Sequence, residues 1–178
     1  MSFALLVGWR VTGRRAGECV MTSSCKLTRK AWYRVDDLIQ RWVEHREELS
    51  SFYLNMIRRK DHGQAHIPNP VIINTFCECL VDYLSTGHFK IFSELANEGL
   101  EFGDKHSGLI NQLYQSIEQS TDAALTFNDK YDSDKLCERV NSDLAMDLKA
   151  LGHILQSRFK LENILIDTLH NSHRNLVA

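Results

Sequence analysis

The sequence predicts an all-α fold, an antiparallel helical bundle in a single domain, on three observations. Apolar residues recur at steps of four and three along two long segments, the period of one helix face. Only two prolines, Pro68 and Pro70, occur in 178 residues, so the 108 residues after Pro70 contain no helix breaker of that kind. Leucine outnumbers valine 22 to 9, and no Gly-Asn hairpin turn or convincing strand is present.

Residues 1–20 are unlike a folded domain. Their apolar run, Met1 to Gly8, is followed rather than preceded by Arg14-Arg15, the reverse order of a secretory or twin-arginine signal. They read as a disordered or non-native extension, with Met21 as the start. Residues 21–34 read as a basic N-terminal arm, 35–170 as the bundle and 171–178 as a tail.

Within the bundle, Val35, Ile39, Trp42, Arg46, Leu49, Tyr53 and Met56 step 4-3-4-3 down one face of the first helix. A loop from Arg58 to Pro70 contains Gly63 and both prolines. Asn69-Pro70 then starts the second helix, with Asn as the cap and Pro in the first turn. That helix carries Ile73, Phe76, Leu80 and Tyr83, and bends near Gly87 on its way through Phe89, Phe92 and Leu95. Gly99 to Gly108 is a break. A third main helix shows Ile110, Tyr114, Ile117, Thr121 and Ala124, and ends in a turn at Asn128 to Ser133, with Asp132 to Asp134 as the next cap region. In the last helix Leu144, Leu148, Leu151, Leu155, Arg158, Glu162, Leu165 and Leu169 step 4-3-4-3 again.

Charge is unevenly distributed. Residues 1–34 hold seven basic groups and one acidic, for +6; residues 35–178 hold 14 and 22, for −8. An acidic folded part disfavours nucleic acid as a partner and favours a basic one. No apolar run approaches the roughly 20 residues of a membrane span. The five cysteines are an odd number without metal-ligand spacing, and read as reduced thiols of a cytoplasmic protein.

Arg46 interrupts the first stripe, and Arg158 with Glu162 interrupts the last, at positions where leucine is expected. Arg158 and Glu162 are four apart and can pair on their own helix. Leu80 to Phe89 adds Asp82, Tyr83, Ser85 and His88 to an apolar helix, and each buried polar group costs roughly 1–3 kcal/mol unless paired. Two readings stand together: an internal network of Arg46, Asp82, Arg158 and Glu162 that sets helix register, and a polar pocket opening onto a partner-binding face. His88 is a packing residue by default. Trp42 and Phe89 are core by default, and interface anchors if exposed.

Catalytic and metal-binding constellations are missing. A di-iron bundle needs Glu-x-x-His pairs, and the chain has none. His62-x-x-x-His66 has helical metal spacing but falls in the proline-flanked loop. No Gly-rich phosphate loop, Gly-x-Ser-x-Gly elbow or Cys-x-x-Cys occurs. No metal, cofactor or enzymatic activity is therefore expected. Two alternatives stay open: a small-molecule or metal-binding four-helix bundle using the interior charges, and a phosphohistidine carrier using His88 or His153.

The segment Leu80–Phe89 resembles the Rsd/AlgQ family of bacterial anti-sigma regulators, and three further blocks agree with it. These are Leu38-Ile39-Gln40-Arg41-Trp42-x-x-x-Arg46, Phe76-Cys77, and Arg158-Phe159-x-Leu161-Glu162, in the family's order. The resemblance covers Leu38 to Leu169. It departs at Thr86, Phe92 and Asn163, where the family usually has alanine, tyrosine and aspartate. It implies an all-helical monomer that binds the primary sigma factor of RNA polymerase one-to-one, chiefly through sigma's C-terminal, −35-reading domain. Sigma is thereby kept from core polymerase, without direct contact to nucleic acid or membrane. Carried over by motif, the partner-binding residues are Asp82, Tyr83, Ser85, Gly87, His88 and Phe89, together with Trp42, Arg46, Arg158 and Glu162.

Overall fold

The computed structural model describes residues 23–58, 69–103, 107–132 and 142–177. The 1–20 extension, the loop holding His62 and His66, and the expected cap residue Asp134 lie outside the described residues.

The first helix, α1, spans Ser23–Arg58. It begins well before Val35 because the apolar stripe extends one step of three backwards to Trp32, which is buried and stacked on His170 at 4.4 Å between ring centroids. Residues 23–34, expected as an arm, are thus the first turns of a bundle helix. The next helix, α2, runs Pro70–Thr86, and Asn69 caps it as its sequence predicts: the Val71 N–H donates to Asn69 Oδ1 at 2.9 Å. It continues through a π-helical turn at Gly87–Ile91 into α3, Phe92–Phe102, which Gly103 closes at φ 74°. That left-handed conformation strains any residue with a Cβ.

The fourth helix, α4, spans Ser107–Tyr131, so the turn expected from Asn128 starts about a turn later; Asn128 keeps the helix going by accepting from the Asp132 N–H at 2.7 Å. The long helix α5 covers Ser142–Leu169, followed by a short 3-10 turn, Asn171–His173, and α6, Arg174–Val177. The expected tail is therefore helical and packed, with His173 and Val177 buried. There is no strand among the described residues.

The rods run antiparallel to their neighbours. Rising numbers on α1 meet falling ones on α2 and α3, from Phe52–Phe76 through Trp42–Tyr83 to Arg34–Glu94. The same holds for α4 and α5, from Lys130–Asp147 to Ile117–Arg158. The stripes read from the sequence line the centre: Val35, Ile39, Trp42, Leu49 and Met56 face Ile73, Phe76, Leu80, Ile117, Ala124, Leu148, Leu151, Leu155 and Leu165. Cys77 lies in this core and Cys79 outside it, both as free thiols. No helix among the described residues is long and apolar enough to cross a membrane.

Asn69→Ala removes the side-chain cap at the α2 entrance. It should lower unfolding stability by about 1 kcal/mol in urea melts with m unchanged.

Candidate partner-binding site

Four rods meet at one buried carboxylate. Glu162 of α5 accepts from Arg158 Nε, one turn earlier, at 2.6 Å, and both side chains are 0% exposed. Its other oxygen accepts the Tyr83 hydroxyl of α2 and lies 3.7 Å from Arg46 Nη1 of α1. Arg158 Nη1 reaches across to α4, donating to Ile117 O at 3.0 Å, Ser120 Oγ at 2.9 Å and Thr121 Oγ1 at 2.6 Å. Arg158 Nη2 has no hydrogen-bond partner among the described residues, although the guanidinium lies beside the Tyr83 ring, 5.9 Å from its centroid.

Two guanidiniums thus share one carboxylate, and the geometry is asymmetric. Arg46 is the outer one, 14% exposed, donating to Asn163 Oδ1 at 2.8 Å and lying over the Phe159 ring. Asn163 therefore serves as a neutral acceptor for this cation. Burial pushes the Glu162 carboxyl above the ordinary carboxylate range, against the lowering pull of Arg158, the Tyr83 hydroxyl and Arg46. Burial, then the Glu162 charge and hydrogen bond, hold the Tyr83 phenol well above its ordinary 10.0. Asp82 was expected in this network and is not part of it. It is exposed, and its neighbour Tyr83 occupies the interior position, because Tyr83 is the residue on the apolar stripe.

The interior connects to the surface through Trp42. Its indole stacks on Tyr83, with centroids 5.4 Å apart, and donates Nε1–H to Tyr83 O at 3.4 Å. Gly87 rests against the same indole: a Cβ there would lie 2.9 Å from Trp42 Cζ2, too close for any real side chain. The π turn starts at this seat. A widened turn takes up one extra residue, so everything after it is displaced by one position. Ile91, Leu95 and Glu98 turn inwards, where uninterrupted 4-3 stepping from Tyr83 and Gly87 would bring Lys90, Glu94 and Asn97. Phe89, expected on the apolar stripe, is instead 77% exposed, with the exposed His88 ring edge-on at 4.9 Å. His88 is thus a surface residue and not a packing one. Ser85, half-buried, lies one turn before it.

Asp82 belongs to a different grouping, on the outer face of α2. The Cys79 thiol is raised above its ordinary value by partial burial and then by the carboxylates of Asp82, Glu78 and Glu48, with a backbone hydrogen bond acting the other way. Three carboxylates from α1 and α2 therefore crowd one exposed thiol. None has an ion-pair or hydrogen-bond partner among the described residues.

Sequence reasoning missed a second polar cluster, at the end of α5. Glu98 is buried and takes both His170 Nδ1 at 2.8 Å and His173 Nδ1 at 3.0 Å; His170 Nε2 faces Asp36 Oδ1 at 3.2 Å. A signal for it existed, since Ile166, His170, His173 and Val177 step 4-3-4 among themselves, one position round from the α5 stripe. Among the described residues no group of three or more His, Cys, Asp or Glu side chains has the arrangement to hold a metal ion.

Fold and site together define an all-helical bundle with a closed ionic core and an acidic, aromatic-tipped outer face. The sequence profile described as "Regulator of RNA polymerase sigma(70) subunit, Rsd/AlgQ" matches residues 21–170. The chain belongs to this family of regulators. It is similar to the "Regulator of sigma D" proteins of Yersinia pseudotuberculosis serotype O:1b (strain IP 31758), 30% identical over 132 residues covering 74% of this chain and 78% of that one. The protein of the same name from Pectobacterium carotovorum subsp. carotovorum (strain PC1) is 27% identical over 140 residues, 76% and 89% of the two chains. No solved structure matches the chain.

Removing one partner of a buried pair leaves the other uncompensated. Arg158→Met should therefore cost about 3–5 kcal/mol in denaturant unfolding. Alkali should act through Tyr83. Its phenol keeps its proton longer in the folded protein than in the unfolded chain, so stability is full below pH 10.0 and falls as pH rises above it. The loss from this group approaches about 1.4 kcal/mol per pH unit. Stability measured from pH 9 upwards should fall less steeply in Tyr83→Phe than in the wild type.

Proposed function

We propose that the protein binds the primary sigma factor of bacterial RNA polymerase, chiefly its C-terminal, −35-reading domain, and so limits sigma's association with core polymerase. The observation that carries this reading is the outer face of α2. Glu78 and Asp82, with Glu48 alongside, stand unpaired among the described residues, and two turns further on the face ends in the exposed Phe89. Unpaired carboxylates side by side repel one another, so the face costs stability in the free protein and gains when a cationic surface covers it. A DNA-reading helix-turn-helix domain is such a surface, because it must meet phosphates. An exposed aromatic among charges is the usual anchor of such a contact.

The residues then divide by role. Asp82, His88 and Phe89 touch the partner. Ser85 borders the contact, and Trp42 and Tyr83 hold the π turn in place behind it. Arg46, Arg158 and Glu162 act through Tyr83 as positioning residues. The complex is one protein to one sigma, made by a monomer, with no direct contact to nucleic acid or membrane and no catalytic step. Among the described residues the charges of the Glu162 cluster are engaged with one another, apart from Arg158 Nη2, which leaves a small-molecule reading little to bind with there.

Calorimetric titration with the isolated C-terminal domain of sigma tests this. A one-to-one complex should form and weaken as salt rises. Phe89→Ala should weaken it by about tenfold or more and Asp82→Asn by a few-fold, with helicity unchanged. A wild-type protein that ignores the domain, or variants that bind as well as wild type, would refute the reading.

A further inference from the structure

The seam between α1 and α5 is built differently from the others. The backbone of α1 packs closely on α2 and α3, and that of α5 on α4, whereas α1 and α5 are joined by side-chain bridges. Tyr53 Oη donates to Leu148 O at 2.9 Å, Arg46 Nη1 to Asn163 Oδ1 at 2.8 Å, and His170 Nε2 faces Asp36 Oδ1 at 3.2 Å. Between the last two bridges lies an open groove of about 550 Å³.

Its floor is apolar, from Ile39, Val43 and Ile166, and its rims are acidic, with Asp36 and Glu44 on α1 and Asp167 on α5. The rim carboxylates are held by neutral amides: Gln40 Nε2 donates to Asp36 Oδ2 at 2.8 Å, and Asn171 Nδ2 to Asp167 Oδ1 at 2.6 Å. An amide fixes a carboxylate in place without cancelling its charge. Glu44 has no ion-pair or hydrogen-bond partner among the described residues. One guanidinium, Arg174, closes the end, lying over the Trp32 ring at 6.0 Å and reaching Asn171 Oδ1 at 3.5 Å. Three carboxylates therefore face one guanidinium and the His170 ring, which is itself shared between Asp36 and Glu98.

We propose that this groove is a second contact for sigma, receiving lysine or arginine side chains from a helix of its C-terminal domain; this rests on the function read above. The chemistry of the occupant follows from the two surfaces. A long basic side chain lays its methylenes on Ile39, Val43 and Ile166 and carries its charge to Glu44 and Asp167 at the rim. The eight steps from Asp36 to Glu44 span about 12 Å of helix, room for two such side chains on successive turns. A groove open along its length suits a polypeptide better than a small molecule, which binds where most of its surface is enclosed. The groove is also continuous with the α2 face. Glu48, one turn beyond Glu44 on α1, belongs to the carboxylate group around Cys79, so α1 carries acidic side chains towards both neighbours. A basic domain astride α1 meets both.

The test compares two isosteric, charge-neutralising pairs in titrations with the isolated C-terminal domain of sigma. Glu44→Gln/Asp167→Asn alters the groove; Glu118→Gln/Asp122→Asn removes the same charge from the exposed face of α4. The groove pair should weaken binding about tenfold and flatten its salt dependence, while the α4 pair changes affinity no more than about twofold and both keep the wild-type melting temperature. Equal weakening by both pairs overturns the proposal, since net charge then explains the effect. A groove pair that binds like wild type while Phe89→Ala is impaired overturns the groove alone. A wild-type protein that does not bind sigma overturns the functional reading, and the groove proposal falls with it.

Discussion

The bundle is organised around a single carboxylate that water does not reach. Glu162 draws donors from α1, α2 and α5, and through Arg158 it fastens α4 as well. Leucines at these positions would close the core with as much area and less desolvation cost. They would also tolerate slippage, because apolar packing has no direction and neighbouring rotations of a rod bury nearly equal surface. Directional bonds allow one registration of the four rods. The outer features, the π turn and the acidic face of α2, keep fixed relative positions only while that registration holds.

Much of this architecture could be read from spacing. The 4-3 stripes located α1 and α5, Asn69-Pro70 located the start of α2, and the leucine positions occupied by Arg46, Arg158 and Glu162 identified the charged interior. What the spacing could not supply was the partner of each charge. Asp82 and Tyr83 are adjacent, and period alone assigns an ionisable residue to a face with an uncertainty of about one position. Phe89 escaped for a different reason: its aromatic character argued for the core, whereas 4-3 counting from Tyr83 passes through Gly87 and Lys90 and bypasses it. The clue lay further on, in Lys90, Glu94 and Asn97, polar residues at positions that unbroken counting would bury. His170 and His173 escaped because histidine at a stripe position carries no charge signature. The groove between α1 and α5 was illegible, since it depends on how far apart two rods stand.

The interior and the outer face divide the work of a binding protein. Inside, the ionic groups are matched to one another over short distances; among the described residues Arg158 Nη2, Asn74 Oδ1 and Asn128 Oδ1 are the buried side-chain atoms left without a hydrogen bond, and the Arg158 guanidinium lies beside the Tyr83 ring. Outside, some carboxylates pair with cations, as Glu94 does with Arg34, but those on the α2 face stand without partners among the described residues, and Asp36 and Asp167 at the groove are tethered by amides that do not neutralise them. The negative field is therefore not an accident of composition. It is concentrated on side chains such as Glu78, Asp82 and Glu44, whose positions are set by the rods beneath and which have no ion-pair partner among the described residues.

The loosened turn at Gly87–Ile91 has a further effect on the long rod formed by α2 and α3. An extra residue resets the angular phase, so the two halves of that rod need not share one pattern of inward and outward positions. The half before the turn is matched to Trp42 and the ion cluster; the half after it is matched, through its own Glu98, to the two histidines. Substitutions can accumulate in either half without rotating the other out of contact. One loosely wound turn thus serves as a joint between two separately tuned segments of a single rod.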